Sequence, residues 1–194
     1  MSSDLSPKAA EIAAVARQLL AARGYHGFSY ADIAERVHIS KPSIHHHYPS
    51  KLTLVCAVVD GYRAEARAGL ETLQALGDAR EQLGAYIGYW THCLRERTLP
   101  ICVCVMLASE MPGLPEEVAL KVRQHFEEVS RWLASVMSRG AALGQLRLAA
   151  APDIEARCFD AGIQGAMISA RTFDDPEVFA TVAAAQLARL VPSA

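Results

Sequence analysis

Residues 21–51 read AARGYHGFSYADIAERVHISKPSIHHHYPSK, and the spacing of the capping residues in this stretch decides the fold. Ser29-Tyr30-Ala31-Asp32 has the form of a capping box, so a short helix is predicted to start there with Ile33, Ala34 and Val37 on its inner face. After only His38-Ile39-Ser40 a second helix can begin, with Ser40 as its cap and Pro42 in its first turn. That helix must be brief, because Pro49 and the capping Ser50 restart the chain. Two short helices three residues apart have the spacing of a helix-turn-helix.

Working outward, almost every other segment has helical periodicity. Ser6-Pro7 opens a first helix whose stripe is Ile12, Val15, Ala16, Leu19 and Leu20, and Gly24 stops it. From Ser50 a long helix follows, with Leu52, Val55, Val59, Tyr62, Ala66, Leu70 and Leu73 stepping by three or four. Gly77-Asp78 breaks it, and Leu83, Tyr86, Ile87, Trp90 and Leu94 mark the next helix. The apolar run ICVCVMLASEM, after Pro100, has no second strand to pair with and is read as a buried helix. Val118, Val122, His125, Val129, Trp132 and Val136 predict a seam that ends at Gly140. Two last helices are expected over roughly 153–171 and 175–190. The fold class is all-α: a helix-turn-helix domain over residues 1–51, then a helical bundle of about six helices over 52–194.

The chain has 194 residues, of which 52% are apolar, enough for a sizeable core. No charged n-region precedes an apolar h-region, and no apolar run reaches the ~18 residues of a membrane span. The expectation is a soluble, cytoplasmic protein without a membrane segment. Its five cysteines read as thiols and not as a disulfide framework. A net charge of −2 argues against nucleic acid, but the charge is unevenly spread. Residues 1–51 hold six Lys/Arg against four Asp/Glu, and five of the seven histidines; residues 52–194 hold 13 against 17. A basic head on an acidic body suggests that the head alone meets an anion.

These residues resemble the DNA-binding domain of the TetR family of bacterial transcriptional repressors. Gly24-Tyr25, Ser29, Asp32-Ile33-Ala34, Ser40-Lys41, Ile44, His47-Tyr48 and Lys51 fill the family's pattern over roughly residues 8–55 without a gap; His45 departs from it, standing where tyrosine is usual. The resemblance implies a homodimer on a double-stranded, palindromic operator, released by a small-molecule effector. It assigns Lys41, Pro42, Ser43, His45 and His46 to the major groove, and His47, Tyr48 and Lys51 to phosphates. Ser29 offers a hydroxyl and helix-terminal N–H groups to a phosphate. Ile44, the apolar exception, should point inward with Ile33, Val37 and Ile39.

The three consecutive histidines also raise a metal site. On a helix, neighbouring side chains point about 100° apart, and only residues three or four apart converge on one ion. No metal and no cofactor are therefore expected. In the body, Tyr62, Tyr86, Trp90, Cys102, Met106, His125 and Phe126 are candidate walls of a pocket for a small, mostly apolar or planar effector. A bundle core would use the same side chains. Gly162, Gly165 and Ser169, with Phe179, Val182 and Gln186, are the expected dimer interface by similarity to the family, the alternative being the core of a single chain. Cys102 and Cys104 leave open a thiol sensor of oxidants or electrophiles, since LPICVCVMLASE resembles a segment of TetR-type repressors that respond to electrophiles. A small all-α enzyme is the other alternative. No nucleophile–base pair, helical metal-ligand pair or phosphate loop carries catalytic chemistry here, so no catalytic residue is predicted.

Overall fold

The computed structural model of the chain describes residues 6–192, and among these every regular element is helical. The elements are α1 (Pro7–Arg23), α2 (Tyr30–Val37), α3 (Lys41–His47), α4 (Lys51–Gln74), α5 (Ala79–Arg95), α6 (Val103–Ala108), a 3-10 turn (Met111–Gly113), α7 (Glu116–Ala142), α8 (Pro152–Phe173) and α9 (Pro176–Leu190). Two compact units form. One holds the chain up to Ala64 together with Cys102–Gln124; the other holds Glu65–Ile101 together with the chain from His125 onward. Residue 51, the end of the expected head, is the first residue of α4.

The first unit is built as its caps dictate. The Ser6 side chain accepts from the Ala9 N–H, with Pro7 in the first turn of α1. Ser29 and Asp32 close a full capping box on α2. Ser40 caps α3, and its side chain accepts from the Ser43 N–H. Ile12, Ala16, Leu19, Leu20, Ile33, Ile44, Leu54 and Val55 are fully buried. Each of the larger side chains contributes about 1.5–3 kcal/mol by leaving water. Ile44 is the one buried residue of α3, as its inward reading requires, whereas Ile39 is only half-buried.

In the second unit α8 packs against α9, and α5 against α9. Phe179 and Phe159 are among its fully buried side chains. The seam from Val118 to Val136 is buried at all six positions.

Three sequence expectations need correcting. α7 runs through Gly140 to Ala142, and it is Gly144, at φ +69°, that has the left-handed backbone past its end. Gly140 is needed for a different reason: a Cβ there would lie 2.7 Å from both the Ala79 Cβ and a Leu146 methyl. The run after Pro100 holds the expected buried helix, but only over Val103–Ala108: Ile101 and Cys102 precede α6, and Ser109 and Glu110 form a turn after it. Finally, the predicted stripe of α4 is buried only at Val55, Val59 and Tyr62; Leu52, Ala66, Leu70 and Leu73 are half-buried.

Ile44→Ala is expected to destabilise the protein by about 2–5 kcal/mol in denaturant unfolding, and the half-buried Ile39→Ala by clearly less. Equal losses at the two positions would contradict the burial that anchors α3.

Candidate nucleic-acid interface

The head presents a short helix by its outer face. Lys41, Pro42, His45 and His46 are exposed, Ser43 and His47 half-buried, and Ile44 turns inward. The turn before it is tight: His38 is left-handed at φ 55° and ψ 45°, and the Ile39 N–H donates to the Ala34 carbonyl at 3.1 Å. No carboxylate occurs between residues 36 and 51, so the ionisable groups that α3 itself carries are Lys41 and three imidazoles.

Two tyrosines hold that helix in place. The Tyr48 hydroxyl, in a buried side chain, donates to the Ala9 carbonyl of α1 at 3.1 Å. The Tyr30 hydroxyl of α2 donates to the Tyr48 carbonyl at 2.8 Å. Burial, with smaller contributions from Tyr48 and Tyr25, pushes the Tyr30 phenol up to about 12. Both phenols therefore remain neutral donors throughout the neutral range.

Lys51 is also drawn inward. Its Nζ donates to the Phe28 carbonyl and lies 4.1 Å from the centre of the Phe28 ring and 5.0 Å from that of Tyr25. Burial pulls its pKa down, against the opposing charges of Asp32 and Glu110. The polar groups of Tyr48 and Lys51, expected on phosphates, are thus engaged inside the head. Ser29 remains exposed, but its hydroxyl already donates to Asp32 Oδ2 at 2.8 Å and accepts from the Ala31 N–H. Those bonds from Ser29, ahead of the Arg23 charge, hold the Asp32 carboxyl below the usual carboxylate range.

His45, the departure from the expected tyrosine, has a defined place. Its Nδ1 lies 3.1 Å from the Pro49 carbonyl, and a carbonyl only accepts, so Nδ1 carries the proton. Its ring packs against Tyr30 with centroids 4.8 Å apart. The outer nitrogen, Nε2, is therefore an acceptor in the neutral ring and a donor only when the ring is protonated. His46 and His47 stack edge-on at 5.4 Å. Among the described residues, no group of three or more His, Cys, Asp or Glu is arranged to hold a metal ion.

The body candidates fall into separate sets. In the first unit the Tyr62 hydroxyl donates to the Cys102 sulfur at 3.0 Å, under the Arg17 guanidinium, with Met106 half-buried. Cys102 and Cys104 are both buried. In the second unit Tyr86 packs on Trp132, His125 lies beside Phe126, and Trp90 is buried. A groove of about 450 Å³ opens there between α4 and α7. Of the predicted effector residues only His125 lines it, joined by Arg67, Leu70, Val129, Arg131 and Trp132. The Trp132 Nε1 is buried without a hydrogen-bond partner. The signal for this groove in the sequence is the pair of charged borders, Arg67/Glu71 four residues apart on α4 and Glu128/Arg131 three apart on α7, rather than the aromatic pattern.

Of the expected dimer residues, Phe179 is fully buried within its own chain. Gly162 and Gln186 face each other across α8 and α9, where a Cβ on Gly162 would come 2.4 Å from the Gln186 Nε2. Val182 and Ser169 are half-buried and Gly165 is exposed. The outward stripe of α8 is instead Ile154, Cys158, Ala161, Gly165 and Ile168, in steps of four and three, with Ile154 and Ile168 each 50% exposed.

A capped helix-turn-helix with an exposed, cation-bearing second helix defines a DNA-binding regulator. The comparisons with known proteins agree with that class. Residues 12–58 match the family described as bacterial regulatory proteins, tetR family, and residues 79–186 match the tetracyclin repressor-like C-terminal domain. A transcriptional regulator of the TetR family from Agrobacterium tumefaciens is 47% identical over 95% of this chain and 98% of its own, with a TM-score of 0.93. The chain therefore belongs to the TetR family of transcriptional regulators. A TetR transcriptional regulator from Legionella pneumophila (24% identity, 97% and 100% coverage, TM-score 0.84) shares the fold. So does a regulatory protein TetR from Rhodobacter sphaeroides (19%, 96% and 100%, 0.87). No curated protein matches the chain. Among the described residues, no helix is long and apolar enough to cross a membrane.

Because the Tyr30 phenol ionises near 10 when unfolded but only near 12 when folded, it adds stability that is complete below about pH 10. That stability is expected to drain away between about pH 10 and 12. Tyr30→Phe should flatten the alkaline limb of an unfolding-versus-pH curve; an unchanged limb would contradict the burial of this hydroxyl.

Proposed function

We propose that the protein is a homodimeric repressor that binds a palindromic operator and is released by a small-molecule effector. The observation that carries the DNA part is the outer face of α3, where Lys41, Pro42, His45 and His46 stand exposed around a single buried anchor. Residues 1–51 act as the DNA-binding domain and 52–194 as the effector and dimerisation domain. Lys41 donates to guanine acceptors in the major groove and Pro42 touches a thymine methyl. Ser43, His45 and His46 follow along the groove, with Ser29 and His47 toward phosphates. We assign Tyr48 and Lys51 to building the head, since their polar groups already serve it.

Two copies associate through the outward stripe of α8, from Ile154 to Ile168, beside the half-buried Val182 of α9. Apolar side chains half exposed in steps of four and three are what a helix presents to a partner helix. A twofold dimer reads two half-sites about one helical turn apart. The groove between α4 and α7 is the effector site. Its unpaired Trp132 N–H asks for an acceptor oxygen on the ligand, and Leu70 and Val129 for an apolar body. This narrows the expected effector to a small amphipathic molecule. Occupancy of the groove bears on α4, the helix that follows α3 directly, and so on the spacing of the two recognition helices.

Enrichment from a random duplex pool should yield a palindrome whose affinity falls steeply with salt; equal affinity for unrelated duplexes would contradict the repressor reading. Lys41→Ala should weaken that binding at least tenfold.

Ala at both His46 and His47 should weaken that binding several-fold, because the imidazoles stand beside Lys41 on the outer side of α3 and donate toward phosphates. An affinity unaltered in that double variant would remove those residues from the interface.

Ile168→Glu is expected to convert the dimer to monomer in sedimentation. A dimer that survives both this change and Ile154→Glu would place the interface elsewhere.

A further inference from the structure

The turn that leads from α1 into the helix-turn-helix is held from outside by a side chain 85 residues away. α1 ends at Gly24, whose φ of +74° lies in the left-handed region. A Cβ on Gly24 would meet the Glu110 carboxylate, with Oε1, Cδ and Oε2 at 2.5, 2.6 and 2.6 Å. The next residue, Tyr25, donates its backbone N–H to Glu110 Oε2 at 2.6 Å. Hydrogen bonds to an ionised acceptor are the short, strong ones. Gly24 is therefore needed twice, for its backbone angle and for the space the carboxylate fills.

The neighbouring contacts point the same way. His26 Nε2 donates to the Gly113 carbonyl at 3.1 Å. Lys51, the first residue of α4, grips the Phe28 carbonyl and lies over the Tyr25 and Phe28 rings. Its charge and that of Glu110 act on each other. Residues 24–28 are thus pinned by the segment 110–113 on one side and by the start of α4 on the other. The pinned stretch ends at Ser29, which caps α2, and α2 passes to α3 in three residues. The same compact unit holds α1 to α3 and the 102–124 segment.

We propose that Glu110 is a positioning residue for DNA recognition. Its carboxylate, seated against Gly24 and bonded to the Tyr25 N–H, sets the turn from which α2 and α3 hang. A shift of the segment between α6 and α7 then reaches the DNA-reading face through this turn, without passing along α4. This rests on the reading that α3 binds DNA, and the test separates the two.

The experiment uses the full chain. In hydrogen exchange of the free protein, Glu110→Ala should speed exchange of residues 24–29 about tenfold and leave α8 and α9 unchanged. Glu110→Gln, whose amide oxygen still accepts the Tyr25 N–H, should stay near the parent. Glu110→Asp, one methylene too short, should follow Glu110→Ala and covers the case in which the alanine variant folds poorly. On a palindrome enriched with the parent protein, Glu110→Ala should bind about three- to tenfold more weakly and Glu110→Gln within about twofold. Gly24→Ala should also weaken binding, because its methyl expels the carboxylate. The double variant should then bind no more weakly than Gly24→Ala alone.

Unchanged exchange at residues 24–29, unchanged affinity of Glu110→Ala, or effects of Gly24→Ala and Glu110→Ala that multiply would each overturn the proposal. If the parent protein enriches no duplex, it is the DNA-binding reading that fails. The exchange measurement still decides whether Glu110 holds the turn.

Discussion

A seven-residue helix cannot hold its shape in water, and everything α3 can do depends on what ties it down. One buried side chain, Ile44, and one buried hydroxyl, on Tyr48, supply that tie. Tyr48 reaches back 39 residues to the Ala9 carbonyl of α1, and Tyr30 of α2 bonds to the Tyr48 carbonyl. Three helices are thereby joined at the residue where α3 ends. With its inner side fixed in this way, α3 can give its outer face entirely to solvent and to Lys41, Pro42, His45 and His46. Burial of the phenols protects the arrangement, because a neutral hydroxyl remains a donor far above neutral pH.

Much of this was legible from local pattern. The caps at Ser6, Ser29 and Ser40 are short-range hydrogen-bond devices, and all three stand where the spacing predicts. The seam of α7 was legible because six positions in steps of four and three admit only one buried face. What stayed hidden was long-range. Nothing near Tyr48 or Lys51 says that their polar groups turn inward, because the carbonyls they meet belong to Ala9 and Phe28. Glu110 is one acidic residue in a polar turn until Gly24 is seen against it. Phe179 looked available for a partner because period alone does not tell which neighbour buries a face.

The histidine cluster shows how far composition can mislead. Three adjacent imidazoles suggest a metal, yet His45 is taken up by Pro49 and Tyr30, and His46 and His47 pack edge-on against each other. His45 is the informative one. In place of a tyrosine hydroxyl it offers a nitrogen whose role depends on protonation, with the inner nitrogen already committed to a carbonyl.

The central claim is that two copies present two α3 helices to successive turns of one DNA face. Methylation interference on an enriched duplex tests it most directly. The account predicts two clusters of interfering major-groove guanines on the same face of the duplex, related by a dyad, with centres about 34–36 Å apart. A single cluster, or interference confined to the minor groove, would contradict it.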